Sequence, residues 1–244
     1  MNEQFFSEVD STNEEAKKML AKAKLEEGFV IRASFQTQGK GQFGAVWESR
    51  KGKNLLMSIV LIPSFLAVEK QYYLNRIAAL AVADFLCLHV ADDVKIKWPN
   101  DVMVGSEKIA GILIENTVQG NKIEHSIIGI GININQVKFQ KYSPAATSLY
   151  NLTYREFDLE QCALVFQKCL LNRYKQLKEG LEKILLSNFN ALLFRKGEEF
   201  AYAVKGGKVK ASIVEVTDSG TIVLQDKSGK VFECGNKELE YKFD

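Results

Sequence analysis

Three glycines fall within six residues in Gly39-Lys40-Gly41-Gln42-Phe43-Gly44, with Trp47 close behind. Such spacing lets backbone N–H groups approach a bound anion; Lys40 adds positive charge at the centre, and Trp47 offers a flat apolar face suited to a base or ring. The pattern satisfies G-x-G-x-x-G, but a dinucleotide-binding fingerprint must lead straight into a helix, and here it runs into Trp47-Glu48, a Lys51-Gly52-Lys53 turn and a β-rich run. A protein-kinase loop also lies between strands, yet nothing downstream resembles the catalytic-loop or D-F-G segments. Taken alone, the segment fits a mobile surface loop as well as a ligand loop.

A second set is Lys97-Trp98-Pro99-Asn100-Asp101 followed by Lys108-Ile109-Ala110-Gly111-Ile112-Leu113. It collects two lysines, a carboxylate and an amide on neighbouring strand ends. A lysine heading an apolar strand is poorly explained by packing, although a snorkelling surface lysine and a Pro-Asn-Asp turn account for either piece alone. A third set, Gly129-Ile130-Gly131-Ile132-Asn133, puts two glycines inside a strand pattern, which marks either a bulge or a close approach by something else. His89 and His125 have no Cys, Asp or Glu cluster at ligand spacing, so neither a protein-bound zinc nor a Ser-His-Asp triad is expected.

These residues need elements to hold them. Ser11 and Thr12-Asn13-Glu14-Glu15 fit an S/T-x-x-E capping box, and Ala16, Met19, Leu20 and Ala23 follow at helical spacing, so a short amphipathic helix starts near Ser11. Residues 28–36 and 54–62 read as strands joined by the glycine-rich loop, and residues 65–90 as a long, mostly buried helix. Residues 93–98, 101–105, 107–118 and 122–134 read as sequential antiparallel strands. A helical block at 158–193 starts with Asp158 as N-cap and divides at Glu179-Gly180. Beyond Arg195, short strands at 199–204, 208–216, 220–225 and 230–234 have the cadence of a small β-barrel, which is marginal alone and should dock on the rest.

Composition narrows the class. The chain has 244 residues, 46% apolar and 25% charged, which is the balance of a globular protein and rules out disorder, collagen and disulfide scaffolds. A net charge of +2 leaves no large basic field for nucleic acid. Nine basic residues after position 194 are balanced by nine acidic ones, so the small C-terminal part is a poor nucleic-acid binder as well. The four cysteines contain no C-x-x-C pair and read as reduced thiols. With no signal peptide and no apolar run approaching a membrane span, a cytoplasmic protein is expected.

In this order and spacing, the motifs resemble the catalytic core of biotin protein ligases, also called biotin–[acetyl-CoA-carboxylase] ligases. The resemblance runs from Ser11-Thr12-Asn13 through Gln36-Thr37-Gln38-Gly39-Lys40-Gly41 and the sets at 97–101, 108–113 and 129–133. It implies an α+β fold: a mixed, largely antiparallel sheet backed by helices, like class II aminoacyl-tRNA synthetases, over residues 1–193, with a small SH3-like β-barrel over 194–244. It also implies two steps, in which biotin carboxylate attacks the α-phosphate of ATP and a carrier-protein lysine then attacks the resulting biotinyl-5′-adenylate. Ser11, Thr12, Asn13 and Gln36 would bond the ureido ring, with Gly39, Lys40, Gly41, Gln42 and Gly111 completing the biotin site. Lys108 would bridge the biotin carboxylate and the α-phosphate. Trp47 and Asn133 would address adenine, with Lys40, Gly41, Gln42 and Asn100 also on the ATP side. Asp101 would orient or deprotonate the incoming amine, and Lys40 would join Lys108 and Asp101 in the chemistry. Mg2+ would enter with ATP and have no protein ligands of its own.

The expected partner is a biotin carboxyl carrier domain of a carboxylase, docked on an exposed sheet edge, with the ligase a monomer or homodimer. Ten residues before Ser11 leave no room for the amino-terminal DNA-binding domain of the repressor members, so no DNA partner is expected. Lys40, Gln42 and Phe43 replace the arginines of the commonest loop form, G-R-G-R-R-G, and the loss of bidentate forks implies a looser grip on the adenylate. Lipoate–protein ligase, which shares the fold and acyl-adenylate chemistry, and a non-catalytic biotin-binding module are the alternative readings.

Overall fold

A strand of Leu55–Leu61 (β3) is buried along its whole length, and this makes it the centre of the molecule. Its alternation sorts the two faces of the sheet: Leu55, Met57, Ile59 and Leu61 join the large apolar core, whereas Val60 joins a smaller cluster with Ala16, Ile31 and Ile127. The computed structural model describes residues 2–90 and 93–243.

Around β3 stand β1 (Glu3–Phe6), α1 (Thr12–Lys22), β2 (Phe29–Ala33), α2 (Tyr72–Cys87), β4 (Val94–Lys97), β5 (Asp101–Val104), β6 (Glu107–Gln119) and β7 (Lys122–Ile132). The seven strands form one sheet in the order β1-β2-β3-β7-β6-β5-β4. Every pairing in it is antiparallel except β1 with β2, so the sheet is mixed and largely antiparallel. The core face is covered by α2 and by α4 (Leu159–Lys178), with α5 (Glu182–Ala191) packed against both, while α1 lies across the other face; a short α3 (Leu149–Thr153) precedes α4. Asp158 caps α4, accepting from the N–H groups of Glu160 and Gln161.

The second sheet is antiparallel, five-stranded and ordered β11-β10-β9-β8-β12, from β8 (Glu199–Val204), β9 (Gly207–Val216), β10 (Ile222–Gln225), β11 (Val231–Cys234) and β12 (Leu239–Tyr241). It docks as expected of so small a unit, and its buried residues Tyr202, Ile213 and Leu224 belong to the same apolar cluster as α2. The join is close: a Cβ on Gly220, which has φ +94°, would stand 2.3 Å from the Tyr72 ring, and Trp98 Nε1 donates to the Gly220 carbonyl at 3.0 Å. Arg76, fully buried on α2, reaches the carbonyls of Thr217 and Asp218.

Three expectations change. The long helix at 65–90 begins only at Tyr72, because Leu66 drops into the core and Ala67 pairs with Lys122 in extended form, leaving just a 3-10 turn at Val68–Lys70. Helix α1 starts where anticipated, but Ser11 makes no side-chain cap; the Thr12 N–H is satisfied from a distance, by Gln36 Oε1 at 2.8 Å. No register shift interrupts β7 at Gly129 or Gly131, so the bulge explanation for those glycines falls.

Candidate functional site

The face of the sheet opposite α2 carries a floor of small residues. Gly111 on β6 pairs with Gly131 on β7, and Gly129 pairs with Ser58 on β3, which places all four on one side of the sheet. Two side chains fill the space that Cβ atoms would take. A Cβ on Gly131 would lie 2.4 Å from the Trp47 indole and one on Gly111 2.8 Å from it; on Gly129 it would lie 2.3 Å from Asn13 Oδ1. The glycines in β7 therefore exist for close approach, by the glycine-rich loop on one side and α1 on the other.

Lys108 reaches this face through a bulge. Asp101 and Val102 pair with Gly111 and Ala110, and then the register slips so that Met103 faces Lys108. Ile109 and Ala110 both turn into the core, and Lys108 regains the side of Gly111, its Cε 3.5 Å from where a Gly111 Cβ would stand. Its backbone is anchored by residues 145–147, with N–H donated to Ala145 and C=O accepting from Thr147.

At the start of β5, Asp101 is held between two ammonium groups. Lys108 Nζ lies 2.6 Å from Oδ1 and Lys97 Nζ 2.9 Å from Oδ2. Burial alone would push the Asp101 carboxyl up, but Lys108 and then Lys97 outweigh it and hold the carboxyl below its usual range. Lys108 also lies over the Trp47 ring at 5.5 Å.

Two cavities meet at this group. One, of about 270 Å³, runs from Ser11, Thr12 and Asn13 under the loop to Gly129 and Gly131; the other, about 800 Å³, lies beyond Trp47 and is bounded by Asn133, Tyr142 and Ala146. Gln36, Ala45, Val46, Trp47, Asp101 and Lys108 line both. Of the residues singled out from the sequence, Ser11, Thr12, Asn13, Lys40, Gly41, Gln42, Asn100 and Gly111 line the first, and Gly39 and Asn133 the second.

The first cavity ends in a polar network. Gln36 Oε1 accepts from Thr12, Ser58 Oγ bonds both Thr12 Oγ1 (2.7 Å) and Asn13 Oδ1 (2.6 Å), and Asn13 Nδ2 donates to Glu115 at 2.8 Å. Ser58 and Glu115 escaped the sequence reading, though each left a signal: Ser58 is the one polar residue of an apolar strand, and Glu115 continues the alternation Gly111, Leu113. Lys40 is drawn to Glu14, 2.8 Å away, and Lys17 joins Glu14 to Glu115. Lys40 and then Lys17 lower the Glu14 carboxyl to about 2. The Asn100 amide is spent on the turn, donating to the Ile112 carbonyl.

Three buried polar atoms, on residues that line these cavities, lack partners among the described residues: Gln42 Oε1, Trp47 Nε1 and Asn133 Oδ1. Asn133 Nδ2 is taken by the Thr147 carbonyl, so its oxygen is the atom left for a donor. No group of three His, Cys, Asp or Glu poised for a metal occurs among the described residues.

A glycine-floored sheet, a glycine loop above it, and a lysine on the wall between two cavities define a site able to bring two ligands together, with two lysines and one carboxylate at the junction. The profile of the biotin/lipoate A/B protein ligase family matches residues 5–133, and the chain belongs to that family. Among its relatives, the bifunctional ligase/repressor BirA of Bacillus subtilis strain 168 is 27% identical over 228 residues, covering 92% of this chain and 70% of that one. The biotin–[acetyl-CoA-carboxylase] ligase of Mycobacterium tuberculosis is 26% identical over 222 residues, covering 89% and 81%. In three dimensions the chain is similar to the biotin protein ligase of Aquifex aeolicus in complex with biotin and ATP, with a TM-score of 0.83, 27% identity, and coverage of 100% of this chain and 99% of that one.

Proposed function

We propose that this protein attaches biotin to a lysine of a carboxylase carrier domain, by way of biotinyl-5′-adenylate formed from ATP. The observation that carries this is the position of Lys108, on the wall shared by a cavity ending in amide and hydroxyl groups and one holding an unpaired Asn133 oxygen. The first suits a ureido ring, which needs donors and acceptors together; the second suits adenine, whose exocyclic amine would donate to Asn133 Oδ1. The biotin carboxylate and the α-phosphate then meet at Lys108.

In the first step a carboxylate oxygen forms a bond to the α-phosphorus and pyrophosphate leaves. Lys108 stabilises the charge gathered there, with Lys40 as the second cation once it is released from Glu14. In the second step the amine of the carrier lysine attacks the acyl carbon and AMP leaves with the bonding pair. As Lys108 turns to the acyl-phosphate it vacates Asp101 Oδ1, and the incoming amine takes that place. Asp101, still paired with Lys97, then orients the amine and can take the proton it loses as the amide forms. Mg2+ would arrive on the nucleotide phosphates and supply charge neutralisation there.

The remaining assignments complete this reading. Residues 1–193 do the chemistry and residues 194–244 form the second unit. The setting is the cytoplasm, where cysteines stay reduced. Among the described residues, no helix is long and apolar enough to cross a membrane. A carrier domain would add to an open sheet edge; residues 192–194 cover β4, which favours β1.

The test is the intact mass of an apo carrier domain after incubation with the protein, MgATP and either biotin or lipoate. A gain of one biotin on one lysine is expected. A gain with lipoate alone would move the assignment within the family, and tight biotin binding without any gain would make the protein a binding module.

A further inference from the structure

The C-terminal sheet reaches the catalytic carboxylate. Tyr241 on β12 presents its ring to the Lys97 ammonium, 5.0 Å from the centroid, and Lys97 in turn holds Asp101 Oδ2 at 2.9 Å. The Lys97 side chain is only 13% exposed, so the ring occupies ground that water would otherwise take around the ammonium. The ring itself is fixed: Tyr241 pairs with Tyr202 across β12 and β8 and meets its ring edge-on at 5.5 Å, and Phe194 lies 6.3 Å away. The Tyr241 hydroxyl, buried, has no hydrogen-bond partner among the described residues. What the residue offers Lys97 is therefore its face.

Lys108 and Lys97 share Asp101, but their duties differ. Lys108 lines both cavities and is the cation drawn to the acyl-phosphate; Lys97 lines only the second and is the cation left on Asp101 when that happens. A lysine has four rotatable side-chain bonds and by itself fixes nothing. We propose that Tyr241 is a positioning residue for biotin transfer: its ring face fixes Lys97, and through Lys97 the orientation of Asp101 toward the incoming amine. The C-terminal sheet is then a working part of the second half-reaction. This rests on the ligase reading above.

Two assays separate the steps: pyrophosphate release from biotin and MgATP, and single-turnover transfer from supplied biotinyl-5′-adenylate to an apo carrier domain. Tyr241→Leu is expected to slow transfer about tenfold at saturating carrier, the size of a desolvated cation–π contact, and to slow pyrophosphate release far less. Tyr241→Met, which fills the volume without an aromatic face, should reproduce the loss, and it stands in should the leucine variant not fold. Tyr241→Phe should restore transfer to within about twofold, since the hydroxyl has no partner. In a Lys97→Met background, Tyr241→Leu should cost nothing further, because the ring acts only through Lys97. Multiplicative losses in the double variant, a phenylalanine variant as slow as the leucine one, or equal loss in both assays would each overturn the proposal. A parent protein inert in both assays overturns the ligase reading, and this inference with it.

Discussion

The site contains one carboxylate between two lysines twice over, and the two copies differ in burial. Asp101 lies between Lys97 and Lys108 with its side chain 10% exposed, on strands that backbone hydrogen bonds fix on both sides. Glu14 lies between Lys17 and Lys40 with its side chain 30% exposed and Lys40 46% exposed, one partner on a helix and the other on a loop. Screening by water makes the second group weak and replaceable, whereas the first keeps its charges where the fold puts them. The same chemistry thus provides a fixed electrostatic centre in one place and a tie that can be undone in the other.

The largest expected effect comes from emptying the centre. Lys108→Ala should lower pyrophosphate release by about three decades, since one charge about 4 Å from a developing phosphoryl charge is worth roughly 4 kcal/mol at an effective dielectric near 20. Asp101 keeps Lys97, so the variant should still unfold cooperatively in urea. Near-native turnover would remove Lys108 from the mechanism.

Asp101→Asn should act on stability instead. It leaves two poorly hydrated ammonium groups without their counter-ion, and about 3 kcal/mol of destabilisation is expected by chemical unfolding at neutral pH. The depressed carboxyl fixes the sign with pH: its contribution is complete above the ordinary carboxylate value of about 3.9 and is lost as pH falls through the lower folded value. The gap between parent and variant should therefore be constant from about pH 5 upward and close only in acid. A gap that narrows near neutrality would contradict the buried ion pairs.

Much of this centre is legible in the sequence because its residues cluster in short motifs that, although each alone has a simpler use, occur together and in order. Lys97, Asp101, Lys108 and the β7 glycines all fall in such runs, on segments rich in β-branched and other apolar residues. What escapes is whatever depends on register or on partners far along the chain. The bulge that turns Lys108 onto the site face is a one-residue slip against β5, invisible to a period-two reading of β6 alone. Strand β1 is an exposed edge without alternation, and its parallel pairing to β2 leaves no local mark. Gln36 supplanting the Ser11 cap, and Tyr241 beneath Lys97, join residues that only the folded topology brings together.

The glycine floor tests whether the loop wall needs the sheet wall. Gly131→Ala puts a methyl 2.4 Å from the Trp47 indole, and since Trp47 lines both cavities, lifting it should weaken nucleotide and biotin binding together. An overpacking cost of about 1–3 kcal/mol corresponds to a loss of roughly five- to 150-fold in affinity by calorimetry. Gly120→Ala is the control: a Cβ there meets nothing within 4 Å, though its φ of +60° should cost stability and leave binding unchanged.

The smallest effect should come from the exposed tie. Glu14 stays ionised down to about pH 2, so the Lys40 pair persists across any working pH and competes with substrate for the lysine. Glu14→Gln removes the competitor while keeping the shape of the side chain. Stability should change by less than about 0.5 kcal/mol, as for other exposed ion pairs. The KM for ATP should fall by about two- to threefold at low ionic strength, and the gain should vanish as salt is raised and Lys40 is screened in parent and variant alike. A KM that rises would mean that Glu14 holds the loop in its binding conformation. The difference between the two carboxylates would then be one of degree, with both fixing geometry and neither acting as a release.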